Sequence, residues 1–124
     1  MAVVSRSYTK LIITITGAAK PYVFNTRVID ELVIGRVDPL DGAPPDIDLT
    51  PYQGRSRRVA HKHASIVKLA DALYLLDKGS HHGTFVNGLR LFRGQMRMLR
   101  DGDHIRLGDI VLNVRLEPSP MARR

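Results

Sequence analysis

Lys78-Gly-Ser-His-His-Gly-Thr-Phe-Val-Asn-Gly88 is the stretch around which the rest of the chain is arranged. A strand pattern, Leu73-Tyr-Leu-Leu-Asp77, runs into it. A short apolar piece, Thr84-Phe-Val86, leaves it, and Asn87-Gly88 turns the chain back toward Leu89-Arg-Leu91. Asn-Gly between two apolar runs is a strong short-range hairpin signal. Gly79, Gly83 and Gly88 fall where a tight or left-handed backbone is expected. Ser80, His81 and His82 lie between the first two glycines, as polar residues at an exposed tip. A polar loop carried on rigid strands is where binding residues concentrate.

Outward from this stretch the chain keeps the same character. Tyr8 to Gly17, Tyr22 to Phe24, Glu31 to Ile34, Ala64 to Val67, Met96 to Met98, His104 to Leu107 and Ile110 to Val114 are short and bounded by Gly, Pro, Asn or Asp, and most are rich in β-branched and aromatic residues. Asp46 to Leu49 adds a brief alternating piece, and Gly108-Asp109 gives a second hairpin signal. No stretch repeats its apolar residues at a helical period. Closely spaced strands with turns between them predict an all-β sandwich. Residues 1–116 are expected to form one domain and 117–124 a flexible tail or the start of a linker. Asp38 to Pro45, with three prolines, reads as a plain turn and not a calcium loop, since no downstream glutamate completes one.

Of the 124 residues, 44% are hydrophobic and 25% charged, ordinary values for a globular protein. Cysteine is absent, which excludes disulfides and thiolate metal sites and fits a reducing, cytoplasmic setting. The N-terminal Arg6, Lys10 and Leu11-Ile-Ile-Thr-Ile-Thr16 loosely imitate a secretion signal, but the threonines and the alternation favour a strand. No apolar run approaches the roughly 20 residues of a membrane helix. Nineteen Lys and Arg against twelve Asp and Glu give a net charge of +7, which points to an anionic partner. From Gln53 to Ala70 there are five basic residues and no acid.

Single motifs say little by themselves. Gly35-Arg36 ends a strand with a guanidinium, whose planar fork suits phosphate. His61 and His63 would share a face in a strand, and with His81 and His82 they raise the question of zinc. No carboxylate or cysteine neighbours them in sequence, and a structural histidine beside a loop histidine is the simpler reading. No nucleophile–base–acid set, phosphate loop or paired carboxylates is present, so neither an enzyme nor a cofactor is expected.

Together, Gly35-Arg36, Ala60-His-Lys-His63, Gly79-Ser-His-His-Gly-Thr-Phe-Val-Asn-Gly88 and Leu99-Arg-Asp-Gly-Asp-His-Ile-Arg-Leu-Gly108 resemble the forkhead-associated (FHA) domain, in the same order and with similar gaps, from about Val33 to Val114. The resemblance implies a twisted sandwich of two antiparallel sheets and about eleven strands, with phosphothreonine bound by loops at one end. It implies a phosphate contact for Arg36 and loop-bracing roles for Gly35, His63, Gly83, Thr84, Asn87 and Gly88. The sequence departs from the family at Ala60, where a phosphate-binding serine stands, and at His82, where a peptide-gripping asparagine stands. Loss of one hydrogen bond to a charged group costs roughly 1.5–3 kcal/mol. Ser56, Arg57, Arg58, His61, Lys62, His81 and His82 complete the expected peptide-binding set, Ser56 as a substitute hydroxyl. Histidines there would tighten binding below about pH 6.5. The alternatives are a module that docks its partner without phosphorylation, and a basic nucleic-acid binder. The second is weakened by an aromatic content of 6%, mostly at core-like positions. No membrane partner is expected.

Overall fold

The computed structural model describes residues 8–52 and 56–118. Its strands are β1 (Tyr8–Ile15), β2 (Tyr22–Asn25), β3 (Glu31–Gly35), β4 (Ile47–Asp48), β5 (Ala64–Leu69), β6 (Ala72–Asp77), β7 (Thr84–Val86), β8 (Leu89–Leu91), β9 (Met96–Met98), β10 (His104–Leu107) and β11 (Ile110–Pro118). They form a six-stranded sheet, β2-β1-β11-β10-β7-β8, and a five-stranded sheet, β4-β3-β5-β6-β9. Among the described residues, helix is confined to two 3-10 turns, Thr26–Val28 and Thr50–Tyr52. The all-β sandwich of two sheets is therefore the fold. Every pairing is antiparallel except β3 with β4, which run parallel with Ile34 opposite Ile47. That pairing follows from the long 36–46 connection, which carries the chain back before it re-enters the sheet edge.

The sheets are held by alternation. In β1, Leu11, Ile13 and Ile15 are buried while the residues between them are not. Ile105 and Leu107 of β10, and Ile110, Leu112 and Val114 of β11, repeat the pattern on neighbouring strands. Ile34, Ile47, Ile66 and Leu75 face them from the other sheet, so one β-branched and leucine core lies between the layers. A one-residue slip in any of these strands would turn its apolar set to water, so the register is well specified.

Register also decides what lies at the ends. Ile34 opposes Ala64 and Ala64 opposes Asp77, so β3 and β6 finish where β5 begins. In the other sheet Thr84 opposes Leu107, so β7 begins where β10 finishes. The connections 36–46, 49–63, 78–83 and 108–109 consequently leave their strands at one end of the sandwich. Gly79, Gly83 and Gly88 all take positive φ, as their positions in the sequence indicate. β11 extends to Pro118, with Glu117 opposite Lys10, so the strand passes two residues beyond the expected domain limit. The expected tail from residue 119 onward lies outside the described residues.

Candidate functional site

Arg36 leaves β3 beside the 56–63 connection. Its Nε donates to the Val59 carbonyl at 2.7 Å, and its Nη1 lies 2.5 Å from His61 Nε2. Since a guanidinium can only donate, His61 Nε2 accepts, and the ring proton sits on Nδ1. Nδ1 faces Asp38 Oδ2 at 3.4 Å. Arg36, His61 and Asp38 thus form a short polar chain from one connection to the next. Two of the five guanidinium N–H donors are used in this way, leaving three.

The backbone approach that permits this is close. Arg36 N donates to His61 O at 3.2 Å, and His63 N to Ile34 O at 2.9 Å. A Cβ added at Gly35 would stand 1.9 Å from His61 O, so this position accepts glycine alone without rearrangement.

His63 joins two connections. It is fully buried, its Nδ1 accepts from Ala60 N at 3.0 Å, and its Nε2 lies 2.8 Å from Gly83 O, to which it donates. Burial holds the imidazole below its ordinary pKa, against the raising effects of the Gly83 carbonyl and Asp77, and nearby His82 adds to the lowering. Gly83 O also receives Gly108 N at 3.1 Å, and Asp109 N donates to Arg57 O at 2.8 Å. A Cβ at Gly108 would meet Arg58 O at 2.3 Å. Three connections are therefore stitched through Gly83 and the 57–58 backbone. Ser56, Arg57 and Arg58 are exposed on the turn, while Ala60 is half-buried.

The 78–83 loop is shaped by Asp77. Its carboxylate accepts from Gly79 N at 2.8 Å, Ser80 N at 3.1 Å, Thr84 Oγ1 at 2.7 Å and the Ser80 hydroxyl. Burial alone would raise its pKa, but these donors outweigh it and hold the carboxyl below its usual range. Thr84 is fully buried in this arrangement. His81 and His82 are exposed at the tip, their rings edge to face with centroids 5.4 Å apart.

Several expectations need correction. His61 and His63 do not share a strand face: they flank a turn, one reaching Arg36 and the other Gly83, and both nitrogens of His63 are engaged within the protein. The basic run is balanced in space, though not in sequence. Asp38 faces His61, Asp41 pairs with Lys62 at 3.3 Å, and Asp109 pairs with Arg58 at 3.6 Å. Asn87 and Gly88 stand at the far end of β7, about 10 Å of strand from Gly83. Asn87 Nδ2 donates to Asp103 Oδ1 and its Oδ1 accepts from His104 N, each at 2.9 Å, so it secures the 101–104 turn and not the loops around Arg36. Asp77, Asp38, Asp41, Asp109 and Gly108 were missed as site residues. Only Asp77 carried a local signal, an Asp directly before Lys-Gly-Ser at a strand end, which favours an Asx-type turn.

The FHA domain family model matches residues 32–108, more than half of the chain. This chain belongs to the FHA domain family. It is 43% identical over 70 residues to Protein FraH of Nostoc sp. (strain PCC 7120 / SAG 25.82 / UTEX 2576), a match covering 56% of this chain and 24% of FraH. The chain spans about a quarter of that curated relative's length. Among solved structures, an FHA domain from a structural and functional analysis of phosphothreonine-dependent FHA domain interactions is 27% identical, with a TM-score of 0.70, covering 90% of this chain and 100% of that one. The FhaA FHA domain, complexed with the intracellular domain of Rv3910, is 26% identical with a TM-score of 0.65, covering 85% and 99%. The N-terminal FHA domain of S. cerevisiae Rad53p, in complex with a phosphothreonine peptide, shares the fold at 24% identity, with a TM-score of 0.68 and coverage of 87% and 94%. Among the described residues no helix is long and apolar enough to cross a membrane.

Proposed function

We propose that this FHA domain is a non-catalytic module that binds a phosphothreonine-containing segment of a partner protein through the loop end built around Arg36. The observation that carries this reading is the fixing of Arg36. Val59 O and His61 hold the guanidinium among three stitched connections, with three N–H donors not engaged by those two groups. A planar fork held in advance loses little freedom on gripping a phosphate.

In this reading Arg36 is the principal phosphate ligand, and His61 replaces the serine hydroxyl that Ala60 lacks. His61 Nε2 is an acceptor while Arg36 donates to it. If Arg36 turns to phosphate, Nε2 is released and on protonation becomes a donor. Arg57, Arg58 and Lys62 raise the local potential, Ser56 offers a hydroxyl on the same turn, and His81 and His82 meet the peptide backbone from the opposite loop. Gly35, His63, Gly83 and Thr84 keep the loops in place. The carboxylates of Asp38, Asp41 and Asp109 offset part of that charge, and this favours docking without phosphate as the second reading.

Titrations with a phosphothreonine peptide library, its unphosphorylated twins and phosphoserine twins separate the two. Preference for phosphothreonine, lost by more than about 100-fold in Arg36→Ala, supports the first, because two charge-assisted hydrogen bonds contribute roughly 3 kcal/mol or more. Equal affinity for phosphorylated and unphosphorylated peptides would establish the second.

A further inference from the structure

From Lys78 to Arg100 the chain contains no Asp or Glu, yet it carries Lys78, Arg90, Arg93, Arg97 and Arg100. The loop end accounts for only the first few residues of that segment. The remainder forms β8, the turn after it and β9; among the described residues β8 is one edge strand of the six-stranded sheet and β9 one edge strand of the five-stranded sheet. Leu89 is 63% exposed, Phe92 57%, Met96 50% and Met98 45%. Leu89 to Phe92 and Gln95 to Met98 line one shallow concavity, so these four apolar side chains share a surface.

Cations are set among them. Arg106, Phe85 and Arg90 stand opposite one another across β10, β7 and β8. The Arg106 guanidinium carbon is 3.9 Å from the Phe85 centroid, and that of Arg90 is 5.8 Å from Phe85 and 5.0 Å from Phe92. Among the described residues, none of Arg90, Arg93, Arg97 and Arg100 pairs with a carboxylate.

Arginine on a strand edge is a common guard against aggregation, and single exposed apolar residues are ordinary. Four large apolar side chains in one concavity exceed what guarding requires. Phe, Met and Arg with acids excluded is the composition of an interface centre, and methionine adapts its shape to a partner. Arg93 carries the surface up to the ligand loops, since a Cβ at Gly79 would lie 3.3 Å from its Nη1.

We propose that the β8–β9 side is a second docking surface, and that its occupant is an acidic partner-protein segment bearing large apolar side chains. The acids meet Arg90, Arg93, Arg97 and Arg100, and the apolar groups fill the concavity between Leu89, Phe92, Met96 and Met98. The surface is separate from the phosphate pocket, so a partner holding both features would gain by bivalence.

The test follows the methyl resonances of isotope-labelled methionine during titration with an unphosphorylated peptide alternating Glu with Leu and Phe. Comparison probes are a Glu-Ser peptide of equal charge and single-stranded oligothymidine. The apolar acidic peptide is expected to shift Met96 and Met98 in the natural domain and in Arg36→Ala alike. Phe92→Ser with Met96→Ser, and separately Arg93→Glu with Arg97→Glu, are each expected to weaken it at least about tenfold. Equal binding of the Glu-Ser peptide or of oligothymidine would overturn the proposal. So would the absence of saturable shifts, or unchanged affinity in both double variants. A thermal melt matching the natural domain checks that these exposed substitutions leave the fold intact.

Discussion

Replacing His63 by glutamine should abolish a pH dependence that the natural domain possesses. His63 is buried as a neutral ring, accepting from Ala60 N and donating to Gly83 O. Its pKa in the folded state is lowered from 6.5, chiefly by burial. The unfolded chain therefore binds more protons than the folded one once the pH falls below the ordinary histidine value, and folding weakens as acid is added. One proton contributes at most about 1.4 kcal/mol per pH unit, so going from pH 6.5 to 5 removes at most about 2 kcal/mol. For a domain of this size that corresponds to roughly 5–10 °C in Tm. Urea unfolding at a series of pH values would measure it in both proteins. His63→Gln should be less stable at pH 7, by about 2–4 kcal/mol for lost packing and hydrogen bonds. Its stability curve should run flatter between pH 6.5 and 5. Parallel curves would refute the assignment of His63 as the buried neutral link between the two loops.

Other expected outcomes concern the same end of the sandwich. Gly35→Ala brings a methyl against His61 O and should cost about 2–4 kcal/mol in urea unfolding, with loss of peptide binding at temperatures where the protein remains folded. Asp77→Asn should cost about 2–4 kcal/mol near pH 7, because Gly79, Ser80 and Thr84 donate to a charged group. Asp77 has a lowered pKa, so its contribution is complete above the ordinary carboxylate value and fades as pH drops through the folded one; acid unfolding should accordingly be shallower in the variant than in the natural domain. Ala60→Ser should strengthen phosphothreonine binding by up to roughly tenfold in calorimetric titration, and no change would mean that position 60 faces away from the ligand.

Much of the fold is visible in local patterns. Leu11, Ile13 and Ile15 alternate with Ile12 and Thr14, and a strand buried on one face needs nothing else to be recognised. Asn87-Gly88 sits at a two-residue turn with positive φ at both residues, a conformation those residue types favour. β4 was harder to place, since nothing within Asp46-Ile-Asp-Leu49 shows that it runs parallel to β3. At the site, Gly35-Arg36 and His63 could be put forward only through the resemblance to the FHA family, since neither motif says much by itself. The roles of Asp38, Asp41 and Asp109 could not, because the partners they face, His61, Lys62 and Arg58, lie more than twenty residues away along the chain.

By itself the sequence determined which segments are strands, where they turn and that the chain is strongly basic. Apolar alternation, β-branching and glycine act between near neighbours, and so they can be read along a line. Only the folded form decided that His61 accepts from Arg36 while His63 is buried against Gly83, that three carboxylates lie among the loop cations, and that Phe92, Met96 and Met98 share one side. Those facts depend on sheet register and on through-space distance, and Coulomb forces and packing act across space without regard to sequence order.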